Sequence, residues 1–69
     1  MIILSILDKN GKIAVVGQQV NAFNPDSNMD FMGRILKIKQ DCDKSFYAEV
    51  TDQEDNIFCL NSEDIELSE

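Results

Sequence analysis

Phe31-Met32-Gly33-Arg34-Ile35-Leu36-Lys37-Ile38-Lys39 decides the fold. Its Phe and Ile side chains suit a pleated, half-buried surface, and it reads as the longest strand in the chain. Ile35 and Ile38 stand three apart, so strict two-residue alternation fails between them. No segment of the chain sustains a helical period. A strand with one inserted residue, a β-bulge that also bends it, keeps both isoleucines in a core.

The neighbouring segments read the same way. Asp41-Cys42-Asp43-Lys44-Ser45 is a turn, and Phe46-Tyr47-Ala48-Glu49-Val50-Thr51 alternates cleanly, with Phe46, Ala48 and Val50 on one face. Asp52 to Asn56 turns again into Ile57-Phe58-Cys59-Leu60, whose apolar character marks Cys59 as a core residue. Asn61-Ser62-Glu63-Asp64 is a single helical turn with a capping side chain, and Ile65-Glu66-Leu67 closes the chain as a short strand. Upstream, Asn24 to Asn28 is a polar loop, Gln18 to Phe23 a strand, and Gly17 the site of a kink or bulge. Asn10-Gly11 supplies positive-φ residues for a tight hairpin between Ile2–Leu7 and Ile13–Val16.

Five or six short strands, one bent, with a short helical turn before the last strand, make an all-β fold: a small, partly open barrel of the SH3-like kind. Sixty-nine residues allow one domain with a thin core. It spans 1–69, with an N-terminal strand and hairpin turn over 1–12 and the barrel over 13–67. Several stretches resemble Tudor-type or KOW-type barrels: Val16-Gly17-Gln18-Gln19-Val20-Asn21-Ala22-Phe23, Gly33-Arg34-Ile35-Leu36-Lys37-Ile38, Tyr47-Ala48-Glu49-Val50, Asn56, and Ser62-Glu63-Asp64-Ile65. In Tudor domains that resemblance implies an aromatic cage for a methylated cation. This chain departs from it: Asn24, Thr51 and Glu54 stand at three cage positions, and only Phe31 and Asn56 keep suitable side chains.

The chemistry available is narrow. The chain has no His, so a side chain that titrates near neutral pH is missing. Cys42 lies between Asp41 and Asp43, whose charge opposes thiolate formation. Cys42 and Cys59 are too few and too far apart for a zinc site or a disulfide framework. Asp52, Glu54, Asn56 and Glu63 touch on a calcium-loop pattern, but Ile57 stands where such a loop needs glycine. The expectation is therefore a non-enzymatic protein with no cofactor and no metal. The apolar opening, Met1 to Leu7, lacks a positive flank and is too short to span a membrane, and a reduced cytoplasmic setting fits the free thiols.

Charge carries the functional reading. The formal net charge is −7, and residues 41–69 hold one basic residue, Lys44, against ten acids. Phosphate backbones attract clustered Lys and Arg, so nucleic acid is a poor principal ligand. The leading expectation is an acidic face formed by Asp41, Asp43, Glu49, Asp52, Glu54, Asp55, Glu63 and Asp64 that docks on a basic surface of a protein partner. One concrete version is an inhibitor of the phage or mobile-element kind that imitates nucleic acid. The alternative is an accessory nucleic-acid- or ribosome-associated barrel that uses Arg34, Lys37, Lys39 and Tyr47, with Phe31 stacking on bases. The first strand is apolar on both faces, which points to a homodimer joined there through Ile3 and Leu4.

Overall fold

Seven strands form in the structure, a computed structural model that describes residues 4–68. They are β1 (Ser5–Leu7), β2 (Ile13–Val15), β3 (Gln19–Asn24), β4 (Met29–Gln40), β5 (Phe46–Thr51), β6 (Ile57–Asn61) and β7 (Ile65–Leu67). A 3₁₀ turn over Ser62–Asp64 joins β6 to β7, and no α-helix occurs among the described residues. All pairings are antiparallel. β1 and β2 form a two-stranded sheet, and the others form a five-stranded sheet in the order β6-β5-β4-β3-β7. The expected pairing of the first strand with Ile13–Val16 forms as β1 with β2, in a sheet separate from the larger one.

The register of β4 follows from its two isoleucines. Ile35 faces Val50 and Ile38 faces Ala48, and the shift between them leaves Leu36 without a partner on β5. The bulge turns Ile35 and Ile38 both inward, where they are 1% and 5% exposed, while Leu36 is 44% exposed. Around them Ile6, Ala14, Val20, Ala22, Ala48, Val50, Leu60 and Ile65 complete the core, flanked by Phe31, Phe58 and Leu67. Gly33 lies where β4 leaves no room for a side chain beside β5. A Cβ there would stand 2.5 Å from the Thr51 carbonyl oxygen and 2.6 Å from a Val50 methyl.

Gly17, at φ +94°, makes the kink expected of it. Its amide donates to the Ile35 carbonyl at 2.8 Å, and the Ile35 amide donates to Gln18 at 3.0 Å. The first hairpin differs from expectation. Only Gly11 takes a positive φ, and the turn is organised by Asp8, the buried charged residue of the core. Asp8 Oδ1 accepts from the amides of Asn10 (2.9 Å) and Lys12 (2.8 Å), and its Oδ2 accepts from the amide of Leu67 (2.9 Å). A carboxylate that accepts several amide hydrogens is stabilised in its charged form. The Leu67 amide above all, then those of Lys12 and Asn10, hold the Asp8 carboxyl below its ordinary value in spite of burial. The 3₁₀ turn also departs from expectation, because Asn61 precedes it without a side-chain cap.

Two outcomes test this packing. Ile35→Ala should cost about 2–4 kcal/mol because a thin core cannot collapse around the cavity, whereas Leu36→Ala should cost under about 1 kcal/mol. Equal losses in denaturant titrations would contradict the bulge. Asp8 has a lowered folded-state value, so its contribution is complete above the ordinary value of 3.8 and is lost as pH falls below it. Asp8→Asn should lower the melting temperature at pH 7 and flatten its fall in acid; parallel acid limbs in the two proteins would contradict this role.

Candidate functional site

Most of the acids in the second half of the chain begin as turn chemistry. In the β1–β2, β4–β5 and β5–β6 turns the first residue is Asp8, Asp41 or Asp52, and its amide donates to the carbonyl of the residue four later, at 2.8, 2.8 and 3.1 Å. The fourth residue takes a positive φ: Gly11 at 80°, Lys44 at 70° and Asp55 at 65°. This is a three-residue hairpin loop whose left-handed position favours glycine. Asp52 repeats the Asp8 arrangement, with Oδ1 accepting from the amides of Glu54 and Asn56 at 2.9 Å each. Asn56 Nδ2 also donates to Asp52 Oδ2 at 3.1 Å. The Asn56 side chain and then these amides hold Asp52 below its ordinary value. Asp43 is lowered likewise by the Ser45 hydroxyl, which donates to it at 2.6 Å.

The acidic residues fall into separate places. Asp41 and Asp43 lie in the turn before β5, and Asp52, Glu54 and Asp55 lie in the turn after it, at the opposite end of that strand. Glu63 and Asp64 form the 3₁₀ turn after β6. Because β6 runs antiparallel to β5, Asn61 stands beside Tyr47, which places this second group toward the Asp41–Ser45 end. Glu49 sits between the two ends and is engaged: Lys39 Nζ lies 3.0 Å from its carboxylate. The Glu49 carboxylate raises the Lys39 ammonium above its ordinary value, first by the hydrogen bond and then by charge.

The basic strip is thinner than the sequence suggests. Arg34, Lys37 and Lys39 are exposed along β4, with Tyr47 half-buried opposite Lys39. Lys39 is spoken for by Glu49. Phe31 does not join them, since it packs on the inner side against Phe58 with ring centroids 4.8 Å apart. Cys59 is a correction in the other direction. It is exposed, opposite Glu49, because Phe58 and Leu60 take the inward positions of β6. Cys42 is exposed as well. Leu4 is 45% exposed beside β1, where Leu7 and Ile13 are also exposed, while Ile3 lies outside the described residues.

The two edges of the large sheet are treated differently. At β7, the Lys9 amide donates to the Ile65 carbonyl at 2.9 Å, and the Leu67 amide reaches Asp8. Asn10 Nδ2 donates to Glu66 at 2.9 Å, and Lys9 Nζ lies 3.9 Å from the same carboxylate. The first turn thus seals that edge. At β6, none of the backbone bonds outside the strand ladders involves Ile57 or Cys59 among the described residues. Sequence reasoning missed both edges. The available signal was Asp8-Lys9-Asn10-Gly11, an Asp three residues before a turn glycine.

No helix among the described residues is long and apolar enough to cross a membrane, and no cluster of metal-ligating side chains forms among them. No protein-family model, curated protein or solved structure matches the chain.

The positive φ of Lys44 gives a direct check of the turn design. A non-glycine residue there costs roughly 1–2 kcal/mol, and glycine returns part of the gain through chain entropy. Lys44→Gly should therefore raise stability by about 0.5–1 kcal/mol, seen as a higher urea midpoint at unchanged slope. A lower midpoint would contradict the turn geometry.

Proposed function

We propose that the chain is a non-enzymatic interaction module on an SH3-like, partly open barrel, and that its acidic turns dock on a basic surface of a protein partner. The barrel reading is supported by the topology: four successive antiparallel strands, β3 to β6, then a 3₁₀ turn and a last strand that returns to β3. A bend in the long strand β4 supplies the curvature such a barrel needs. Tudor-type recognition of a methylated cation gains no support, because Phe31 packs against Phe58 with the rings tilted at 46° and the Asn56 side chain is tied to Asp52.

The observation that carries the docking proposal is the imbalance of free charge. Glu54, Asp55 and Glu63 form no ion pair among the described residues, and Glu54 and Asp55 are exposed on a turn. On the basic side Lys39 is neutralised by Glu49, which leaves Arg34 and Lys37 as an exposed pair on that strip. Two cations release few counterions from a phosphate backbone, so the acidic ends hold the stronger claim. Charge of this kind acts mainly on encounter rate and partner choice.

Asp52 is unsuitable for a test because its carboxylate holds the turn. Glu54→Gln with Asp55→Asn removes two charges at exposed positions, and Asn tolerates a positive φ. With a partner captured from the native host, this double substitution should slow association several-fold at low salt. Stability should stay within about 0.5 kcal/mol. Association rates that are insensitive both to the substitution and to salt would overturn the reading.

A further inference from the structure

β6 is an edge strand of an unusual kind. Its five residues, Ile57-Phe58-Cys59-Leu60-Asn61, carry no charge and no proline, the devices that ordinarily protect an exposed edge. The hydrogen bond from Asp52 to Asn56 sets the phase of the β5–β6 ladder. Antiparallel bonding alternates, so Phe58 and Leu60 bond to β5, and the amides of Ile57, Cys59 and Asn61 point away from it. Ile57 is 56% exposed, and Cys59 and Asn61 are exposed too. The opposite edge of the sheet is sealed by Asp8 and Lys9.

The ends of this edge, which no strand among the described residues pairs, are acidic. Asp52, Glu54 and Asp55 lie in the turn that leads into β6, and Glu63 and Asp64 lie in the 3₁₀ turn that leaves it. We infer that the free edge of β6 binds an extended segment of a partner protein by strand addition, the segment being uncharged at its centre and basic at both ends. This inference rests on the docking reading above and names its site. Main-chain bonds from Ile57, Cys59 and Asn61 supply the pairing, and the flanking carboxylates select the partner. At about 3.3 Å per residue, five paired residues separate the two basic ends by roughly 17 Å.

Charge also decides against a second copy of this chain. Antiparallel pairing of β6 with β6 would set the Asp52–Asp55 turn of one molecule beside Glu63 and Asp64 of the other, twice. Parallel pairing would set like turns together. Either arrangement brings carboxylates against carboxylates, which is unfavourable.

The test uses the full chain and two synthetic peptides of identical composition. One has two Lys or Arg at each end of a Thr/Val centre, and the other has the same four cations at its centre. The first should slow hydrogen exchange at the amides of Ile57, Cys59 and Asn61 by about tenfold or more, and should bind about tenfold more tightly than the second. Cys59→Pro, which changes no charge and removes one outward amide, should abolish this binding. Equal binding of the two peptides, or binding with no protection of these amides, overturns the edge site. If Cys59→Pro does not fold, the exchange pattern of the unsubstituted protein alone decides. Protection of the same amides that rises with protein concentration in the absence of peptide would make the occupant a second copy, and also overturns the proposal. Unaltered capture of a partner by the Cys59→Pro protein would retain acidic docking and reject the edge. Loss of salt dependence would reject both.

Discussion

One carboxylate sets the relation between the two sheets. Asp8 uses one oxygen to close its own turn on Asn10 and Lys12 and the other to receive the amide of Leu67, 59 residues away in sequence. The carboxylate stays charged although largely covered, because each of these amides favours its ionised form. The Lys9 amide and the Asn10 side chain extend the same seam onto Ile65 and Glu66. With the first hairpin pinned in this way, Ile6 and Ala14 enter the core and β7 ceases to be an open edge. A domain with so few large buried side chains depends heavily on such a seam, since its apolar burial is small.

The seam also explains where function has room. Asp52 repeats the local arrangement of Asp8 in the turn before β6, but its second oxygen is met by Asn56 of the same turn. One turn therefore reaches across to seal a strand, and the other closes on itself and leaves its strand open. Acids on the second turn, at Glu54 and Asp55, remain exposed next to that open strand. Placing both uncharged edge and unpaired acids at β6 is a physical asymmetry, and it is the basis on which a basic, extended partner is preferred over nucleic acid or a second copy.

Much of the fold was legible because apolar spacing follows the strands closely, and its one break marks the bulge. Phe46–Thr51 and Ile65–Leu67 form strands with the expected ends, and the three-residue gap between Ile35 and Ile38 located the bulge. The rest failed for identifiable reasons. An uninterrupted apolar run such as Ile57 to Leu60 does not reveal which parity is buried, and here Phe58 and Leu60, not Cys59, hold the inward face. Lys44 and Asp55 adopt a conformation associated with glycine, and a residue type alone does not announce it. Phe31 turned inward because Phe58 lies beside it, a contact between residues far apart in sequence. Asp8 makes its decisive contact with Leu67, 59 residues away, and no local pattern announces it. At the candidate site, the sequence located the acids and gave no sign that they divide between the two ends of β5.

Amide hydrogen exchange on the free protein, comparing Leu67 with Cys59, tests the central claim that one edge is sealed and the other open. The account predicts slow exchange at Leu67, which lies near the chain end yet donates to Asp8, and fast exchange at Cys59, which lies within a strand yet donates outward. Fast exchange at Leu67 together with slow exchange at Cys59 would contradict it.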